Sequence, residues 1–159
     1  MEQKSLARWV KTAIVLVGVF GLFVYAVALP LFGQSVVLQA PEMAYRYWPW
    51  LIFLWVTALP CFGVLVLGWR IAQNIGRDRS FSLENARYLK LAAYFAAFDS
   101  ALFFLGNVAY LFLNLSHPGV VLASLVVTLA GVAVSVAAAA LSRLVQKAAR
   151  LQEQSDLTI

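Results

Sequence analysis

Four long apolar runs, separated by short polar segments, dominate the chain. The runs cover residues 12–32, 48–69, 88–115 and 120–141, and most charged residues lie in the gaps between them or at their edges. Each run reaches the roughly 20 apolar residues that a helix needs to cross about 30 Å of hydrocarbon. The pattern therefore predicts an all-α integral membrane protein whose four helices form a bundle.

The polar segments are too short to fold on their own. The longest lies between Arg70 and Arg87, and an independent domain usually needs at least about 50 residues. Only 12% of the chain is charged, whereas soluble proteins have roughly 25%. We therefore expect residues 1–159 to form a single membrane domain.

The basic residues are distributed asymmetrically about the four runs. Eleven of the twelve precede the first run, surround the segment between the second and third, or follow the fourth, and Arg46 is the exception. Lysine and arginine in short loops stay on the cytoplasmic side of a membrane, so both termini are expected in the cytoplasm. Basic residues beside membrane spans meet anionic lipid head groups, which argues against direct binding of nucleic acid. The eleven are Lys4, Arg8, Lys11, Arg70, Arg77, Arg79, Arg87, Lys90, Arg143, Lys147 and Arg150.

Proline and glycine predict where the first two helices end or bend. Pro30 and Gly33 should end the first span, which leaves residues 34–47 as an outer loop. Pro60 predicts a kink in the second span, where Thr57 could satisfy the carbonyl that the proline leaves unpaired. Aromatic residues typical of a membrane interface crowd the end of the outer loop: Tyr45, Tyr47, Trp48 and Trp50.

Polar signals predict the other connections. Residues 76–79 are typical of a turn, and Ser82 is typical of a helix N-cap with Glu84 in the first turn. Residues 114–119 predict a tight outer hairpin. Apolar residues recur at helical spacing from Leu141 to Leu151, so the fourth helix should extend beyond the bilayer into the cytoplasm.

Asp99 is the ionisable residue that lies deepest within an apolar run. An ionised carboxylate at that depth costs about 2.5–3.5 kcal/mol on insertion scales, so Asp99 should face the bundle interior and find a donor, or stay protonated. One interpretation is a proton or cation site, and the other is a polar clamp between helices. A proton relay needs several titratable groups, which favours the clamp. Five residues are plausible donors: Tyr25, Thr57, Asn107, Ser124 and Thr128.

No set of residues supports an enzyme. Cys61 is the only cysteine and His117 the only histidine, so neither an internal disulfide nor a thiolate metal site is expected. Cys61 should pack as a small apolar residue. No nucleophile–base pair, phosphate-binding glycine loop or pair of carboxylates is evident. We expect no catalytic residue, no cofactor and no metal.

Two segments resemble a known family. Phe81-Ser82-Leu83-Glu84-Asn85, with Arg87, Leu89 and Lys90 after it, resembles the signature that opens the third span of the DUF2975 family. Residues 151–159, ending in Asp-Leu-Thr-Ile, resemble that family's tail. The family consists of small bacterial inner-membrane proteins of unknown function, and its genes often neighbour a helix-turn-helix regulator of the Cro/C1 type. The resemblance therefore implies a cytoplasmic transcription regulator as partner.

Both signature segments are cytoplasmic in the predicted topology. The tail places two apolar side chains beside acidic groups, which suits docking into a groove on a basic partner; alternatively, it folds back onto the inner loop. The residues expected to bind the partner are Phe81, Glu84, Asn85, Arg87, Asp156, Leu157, Thr158 and Ile159. The rival hypothesis is a small transporter, channel or immunity-type protein that uses Asp99 and the Pro60 kink.

Overall fold

The computed structural model describes residues 3–156, and this part of the chain is helical with short connections. A π-helical turn at Val24–Ala28 joins the first two α-helices into one rod over residues 3–39. Four helical segments are long and apolar enough to cross a membrane, which confirms the predicted all-α class. The helices are α1 (Gln3–Phe23), α2 (Leu29–Gln39), α3 (Ala44–Gly76), α4 (Leu83–Phe112) and α5 (Pro118–Asp156).

The long helices pack in chain order. Helix α1 lies along α3, α3 along α4 and α4 along α5, and the last pair shares the largest interface. Over residues 3–156, no close backbone contact joins the α1–α2 rod to α4 or α5. Ser80 Oγ donates to Gln3 Oε1 at 3.0 Å, and Ala149 lies beside the same loop. We call this end, formed by residues 3–11, 70–90 and 143–156, the basic end, and the opposite one the hairpin end.

The connection between the first two spans differs from the sequence prediction. The predicted outer loop at residues 34–47 is wrong, because the first rod continues to Gln39 and α3 begins at Ala44 after a single 3₁₀ turn. Gly33, expected to end the helix, is buried inside it. A Cβ at position 33 would lie 2.7 Å from the Tyr47 ring. This glycine therefore allows close packing between two helices instead of ending one.

The π-helical turn is what accommodates Pro30. The Leu29 N–H bonds to the carbonyl of Val24, five residues back. In that register the Tyr25 carbonyl faces the nitrogen of Pro30, which carries no hydrogen. Trp55 in α3 donates from its indole Nε1 to this carbonyl at 3.0 Å. The contact supplies a partner that neither water nor the helix itself can supply inside hydrocarbon.

Helix α3 continues through Pro49 and Pro60. Thr57 does not compensate for Pro60, since its hydroxyl donates to the Leu54 carbonyl at 2.8 Å. That bond lies within the helix, and it does not pair the carbonyl that faces the nitrogen of Pro60. The kink at Pro60 stays a prediction.

Two serine hydroxyls hold α4 and α5 in register. Ser135 Oγ donates to the carbonyl of Ala93 at 2.8 Å, and Ser142 Oγ to that of Ala86 at 2.6 Å. Donors and acceptors are each seven residues apart, so the bonds repeat every two turns of an antiparallel pair. Gly131 continues the close contact, because a Cβ there would collide with Ser100. Small residues thus pack α5 against α4, as is common in membranes.

The predicted turns after α3 and α4 are confirmed, and both use the same C-cap. After α3, the Arg79 N–H bonds to the Asn74 carbonyl at 2.9 Å, and the Asp78 N–H bonds to the Ile75 carbonyl at 3.1 Å. This is the Schellman pattern, which needs a left-handed residue after the helix. Asp78 adopts that conformation with φ 60°, and Asn114 does so after α4 with φ 56°.

Replacing Trp55 by Phe is expected to destabilise the protein by about 1 kcal/mol, because the Tyr25 carbonyl loses its donor. The cost should fall in the Pro30→Ala background, since residue 30 then carries an N–H that can bond to that carbonyl. Unfolding by SDS in mixed micelles measures this double-mutant cycle. Trp48→Phe, an exposed tryptophan at the hairpin end, is the control. An equal cost of Trp55→Phe with and without Pro30→Ala would contradict the explanation.

Candidate functional site

A network of side chains joins the end of α3 to the start of α4 at the basic end. Asn85 is 1% exposed, and its Nδ2 donates to the carbonyls of Arg79 and Ser80, both at 3.1 Å. Its Oδ1 accepts from Asn74 Nδ2 at 2.8 Å. Both N–H groups and the oxygen of the amide are therefore used inside the chain. Asn85 was expected to contact a partner, but the structure buries it where it holds the loop in shape.

Ser82 and Glu84 complete this network. Ser82 Oγ accepts from the backbone N–H of Asn85 at 3.2 Å, which confirms the predicted N-cap. Glu84 accepts from the Tyr88 hydroxyl at 2.7 Å and from Asn74 Nδ2 at 3.2 Å. Glu84 precedes the membrane-spanning part of α4, and the Tyr88 hydrogen bond is the main cause that lowers the pKa of its carboxyl. Three residues of the family-like signature, Ser82, Glu84 and Asn85, thus shape the loop.

The exposed part of the basic end is a loop beside a groove. Phe81 is 59% exposed, and Arg87 is also exposed. A groove of about 430 Å³ lies between this loop, the first turn of α1 and the last turns of α5. Asp156 closes α5 a few residues past the groove, whereas the other predicted tail residues, Leu157, Thr158 and Ile159, lie outside the described part of the chain.

Two basic side chains, at the point where the helices of the basic end enter the apolar zone, lie over aromatic rings. Lys11 Nζ is 5.3 Å from the centroid of the Trp69 ring. The guanidinium of Arg70 is 5.7 Å from the Tyr88 ring. Such pairs let long side chains lie along apolar surface while their charges reach a polar layer. They mark the level at which α1, α3 and α4 leave the apolar zone.

Asp99 lies in a cavity of about 400 Å³ lined by residues from all four long helical segments. Cys61 Sγ donates to Asp99 Oδ2 at 3.1 Å and so links α3 to α4. Asp99 Oδ1 is buried and has no hydrogen-bond partner in the described chain, and the same holds for Thr128 Oγ1, which belongs to another lining residue of this cavity. One carboxylate oxygen of Asp99 thus links two helices and the other has no partner in the described chain, and the role of Asp99 as a clamp stays a prediction.

The donor to Asp99 is one that the sequence interpretation missed. Within residues 3–156, none of the five expected donors bonds to the carboxylate; Thr57, Asn107 and Ser124 instead donate to carbonyls of their own helices. Cys61 was expected to pack as an apolar residue, yet its thiol makes the contact. One signal was available, because Cys61 and Asp99 lie at similar depths in consecutive antiparallel spans.

The four apolar helices, whose internal polar contacts replace water, define an integral membrane protein. The family model of DUF2975, described as proteins of unknown function, matches residues 36–159, and the chain belongs to this family. The chain is also 29% identical over 153 residues to the uncharacterized membrane protein YoaS of Bacillus subtilis (strain 168), which covers 95% of this chain and 96% of that protein. No solved structure matches the chain.

Replacing Asn85 by Ala is expected to destabilise the basic end by about 3 kcal/mol, because three buried hydrogen bonds are lost together. Amide hydrogen exchange of residues 77–82 should accelerate, while exchange in the middle of α4 should change little. Gln73→Ala, an exposed amide one residue from Asn74, is the matched control. Unchanged exchange in residues 77–82 would show that Asn85 does not hold the loop.

Proposed function

We propose that the chain is a non-enzymatic protein of the bacterial inner membrane, that residues 1–159 act as a single membrane domain, and that the basic end binds a cytoplasmic partner. The placement of eleven of the twelve basic residues at that end supports the orientation. The termini and the α3–α4 loop then share the cytoplasmic face.

The observation that carries this proposal is the exposed, internally hydrogen-bonded loop at the basic end. Asn85 and Ser82 hold the loop from inside, and Phe81 remains 59% exposed on its surface. An ordered backbone loses little conformational entropy on binding, so an exposed aromatic residue on it can anchor a partner efficiently. Arg87 adds an exposed charge one helical turn into α4.

The partner that we favour is a helix-turn-helix transcription regulator of the Cro/C1 type. The tail follows directly from α5, and Asp156, Leu157, Thr158 and Ile159 combine acidic and apolar groups that suit a basic protein surface. Tethering at the membrane would lower the concentration of regulator available to DNA. The alternative is that the tail folds back onto the inner loop, which lines the groove beside Ala149.

The orientation makes a direct prediction about reporter fusions. Green fluorescent protein fused after Ile159 should fluoresce, because it folds only in the cytoplasm. Alkaline phosphatase inserted after Ser116 in the hairpin should be active, because it requires the oxidising side. The reverse pair of signals would exclude a cytoplasmic basic end.

Loss of the exposed features should release the regulator without unfolding the bundle. We expect that a Cro/C1-type regulator from the same genome co-purifies with the intact chain in mild detergent. The variant Phe81→Ala and a chain ending at residue 151 should each reduce the recovered regulator at least tenfold, with unchanged thermal stability.

The control for this experiment lies at the other end of the protein. Leu113→Ala truncates an apolar side chain that is 63% exposed at the hairpin end, and it should leave recovery of the regulator unchanged. Equal recovery from all four chains would remove the basic end as the docking site.

The second candidate function is a small transporter, channel or immunity-type protein. One observation favours it, because Pro60 and Asp99 line the same cavity. A proline in a membrane helix next to an incompletely paired carboxylate is an arrangement that can serve a moving or ion-dependent site.

A further inference from the structure

The cavity at Asp99 is lined by residues of the first rod and of the last helix. Tyr25 in the π-helical turn and Thr128 in α5 are among them. No close backbone contact joins these two elements anywhere in residues 3–156. Asp99 lies near the middle of α4, so the gap between these two elements is expected at the depth of the hydrocarbon. A molecule dissolved in the bilayer can therefore reach the carboxylate without passing through water.

The polar atoms inside this cavity are incompletely paired. Asp99 Oδ1 and Thr128 Oγ1 are both buried without a hydrogen-bond partner in the described chain. The lining contains one acid and no lysine, arginine or histidine. An ionised Asp99 lacks a counter-charge here, and a protonated Asp99 lacks an acceptor beyond Cys61. Burying such groups in an apolar medium costs free energy unless a hydrogen-bond partner or a counter-charge is supplied.

The remaining lining is apolar and aromatic. Tyr25, Phe95 and Phe103 present rings to the cavity, and valine side chains of α3 and α5 form much of the rest. Aromatic faces attract cations, most strongly where water is excluded. The volume of about 400 Å³ falls within the range of small-molecule sites. The cavity therefore combines a carboxylate, aromatic rings and apolar walls. This combination suits a ligand that carries a positive charge on an otherwise apolar molecule.

We propose that this cavity binds a lipophilic organic cation, which enters from the bilayer between α1 and α5 and places its charge against Asp99. Thr128 Oγ1 accepts a hydrogen bond where the cation carries an N–H. An inorganic cation fits poorly, because one carboxylate and a few hydroxyls cannot replace a hydration shell of six or more oxygens. The inference is independent of the proposed partner at the basic end.

The test uses the full chain in lipid nanodiscs and tetraphenylphosphonium as the probe. Saturable binding of one probe per chain is expected in equilibrium dialysis, with at least tenfold weaker binding by Asp99→Asn. Tetraphenylborate, an anion of the same shape, should not bind. Binding should weaken as pH falls, because protons compete for Asp99; Tyr25 and Cys61 are the other titratable groups that line the cavity, and α5 contributes none.

Two further variants separate the site from the fold. Glu42→Gln removes a carboxylate at the hairpin end and should bind the probe normally. Val134→Trp fills the cavity from an exposed position of α5, and it should abolish binding while Asp99 is retained. This variant decides the question if Asp99→Asn does not fold.

Several outcomes would overturn the proposal. They are equal binding of the probe by folded Asp99→Asn, equal binding by folded Val134→Trp, and binding of tetraphenylborate with similar affinity. A fourth is a stable dimer that binds no probe and dissociates with Val134→Trp, since a second copy of the chain would then cover the opening. If cells that carry Asp99→Asn also lose transport or resistance, the binding site is the working site of the second candidate function.

Discussion

The constraint on which this structure depends is that hydrocarbon offers no hydrogen bonds to the backbone. An irregular point in a helix therefore needs a partner from elsewhere in the chain. The Tyr25 carbonyl, freed at Pro30, receives the indole of Trp55. The Asp78 turn, which lies outside the apolar zone, closes through backbone bonds and is held by the Asn85 amide. Side chains from distant helices thus stabilise local geometry, and this couples the packing of helices to their shape.

Much of the fold could be predicted, because it follows from local signals. Apolar length gave the four spans, Ser82 gave the N-cap, and the turn before it was recognised from its composition. The predicted end of the first span was wrong. A proline ends a membrane helix when the carbonyl that it frees finds no other donor, and a glycine ends one when no neighbouring helix packs against it. Pro30 is tolerated because Trp55 in the next helix bonds to the carbonyl that the proline frees, and Gly33 makes room for the ring of Tyr47 in the same helix. A contact across helices leaves no periodic trace in the sequence.

The candidate sites show the same division. Asp99 was found from the sequence because a carboxylate stands out in an apolar run. Its donor Cys61 was missed because a thiol resembles an apolar residue by composition. Asn85 was expected to bind a partner because it belongs to the segment that resembles the family signature, but its burial is a property of the folded loop. Phe81, beside it, has the exposure that a contact surface requires.

Because the helices pack in chain order, the two ends of the helix series are held in place by different numbers of contacts. Helices α4 and α5 are fastened by bonds that a shift of one turn would break. Within residues 3–156, α3 is the one long helix that makes close backbone contacts with the rod formed by α1 and α2. Acyl chains press on this rod from the side that the protein leaves open, and thickness mismatch is relieved by tilting such a helix. A change in the tilt of the rod under the lateral pressure of the surrounding lipid would therefore change the width of the cavity beside Asp99.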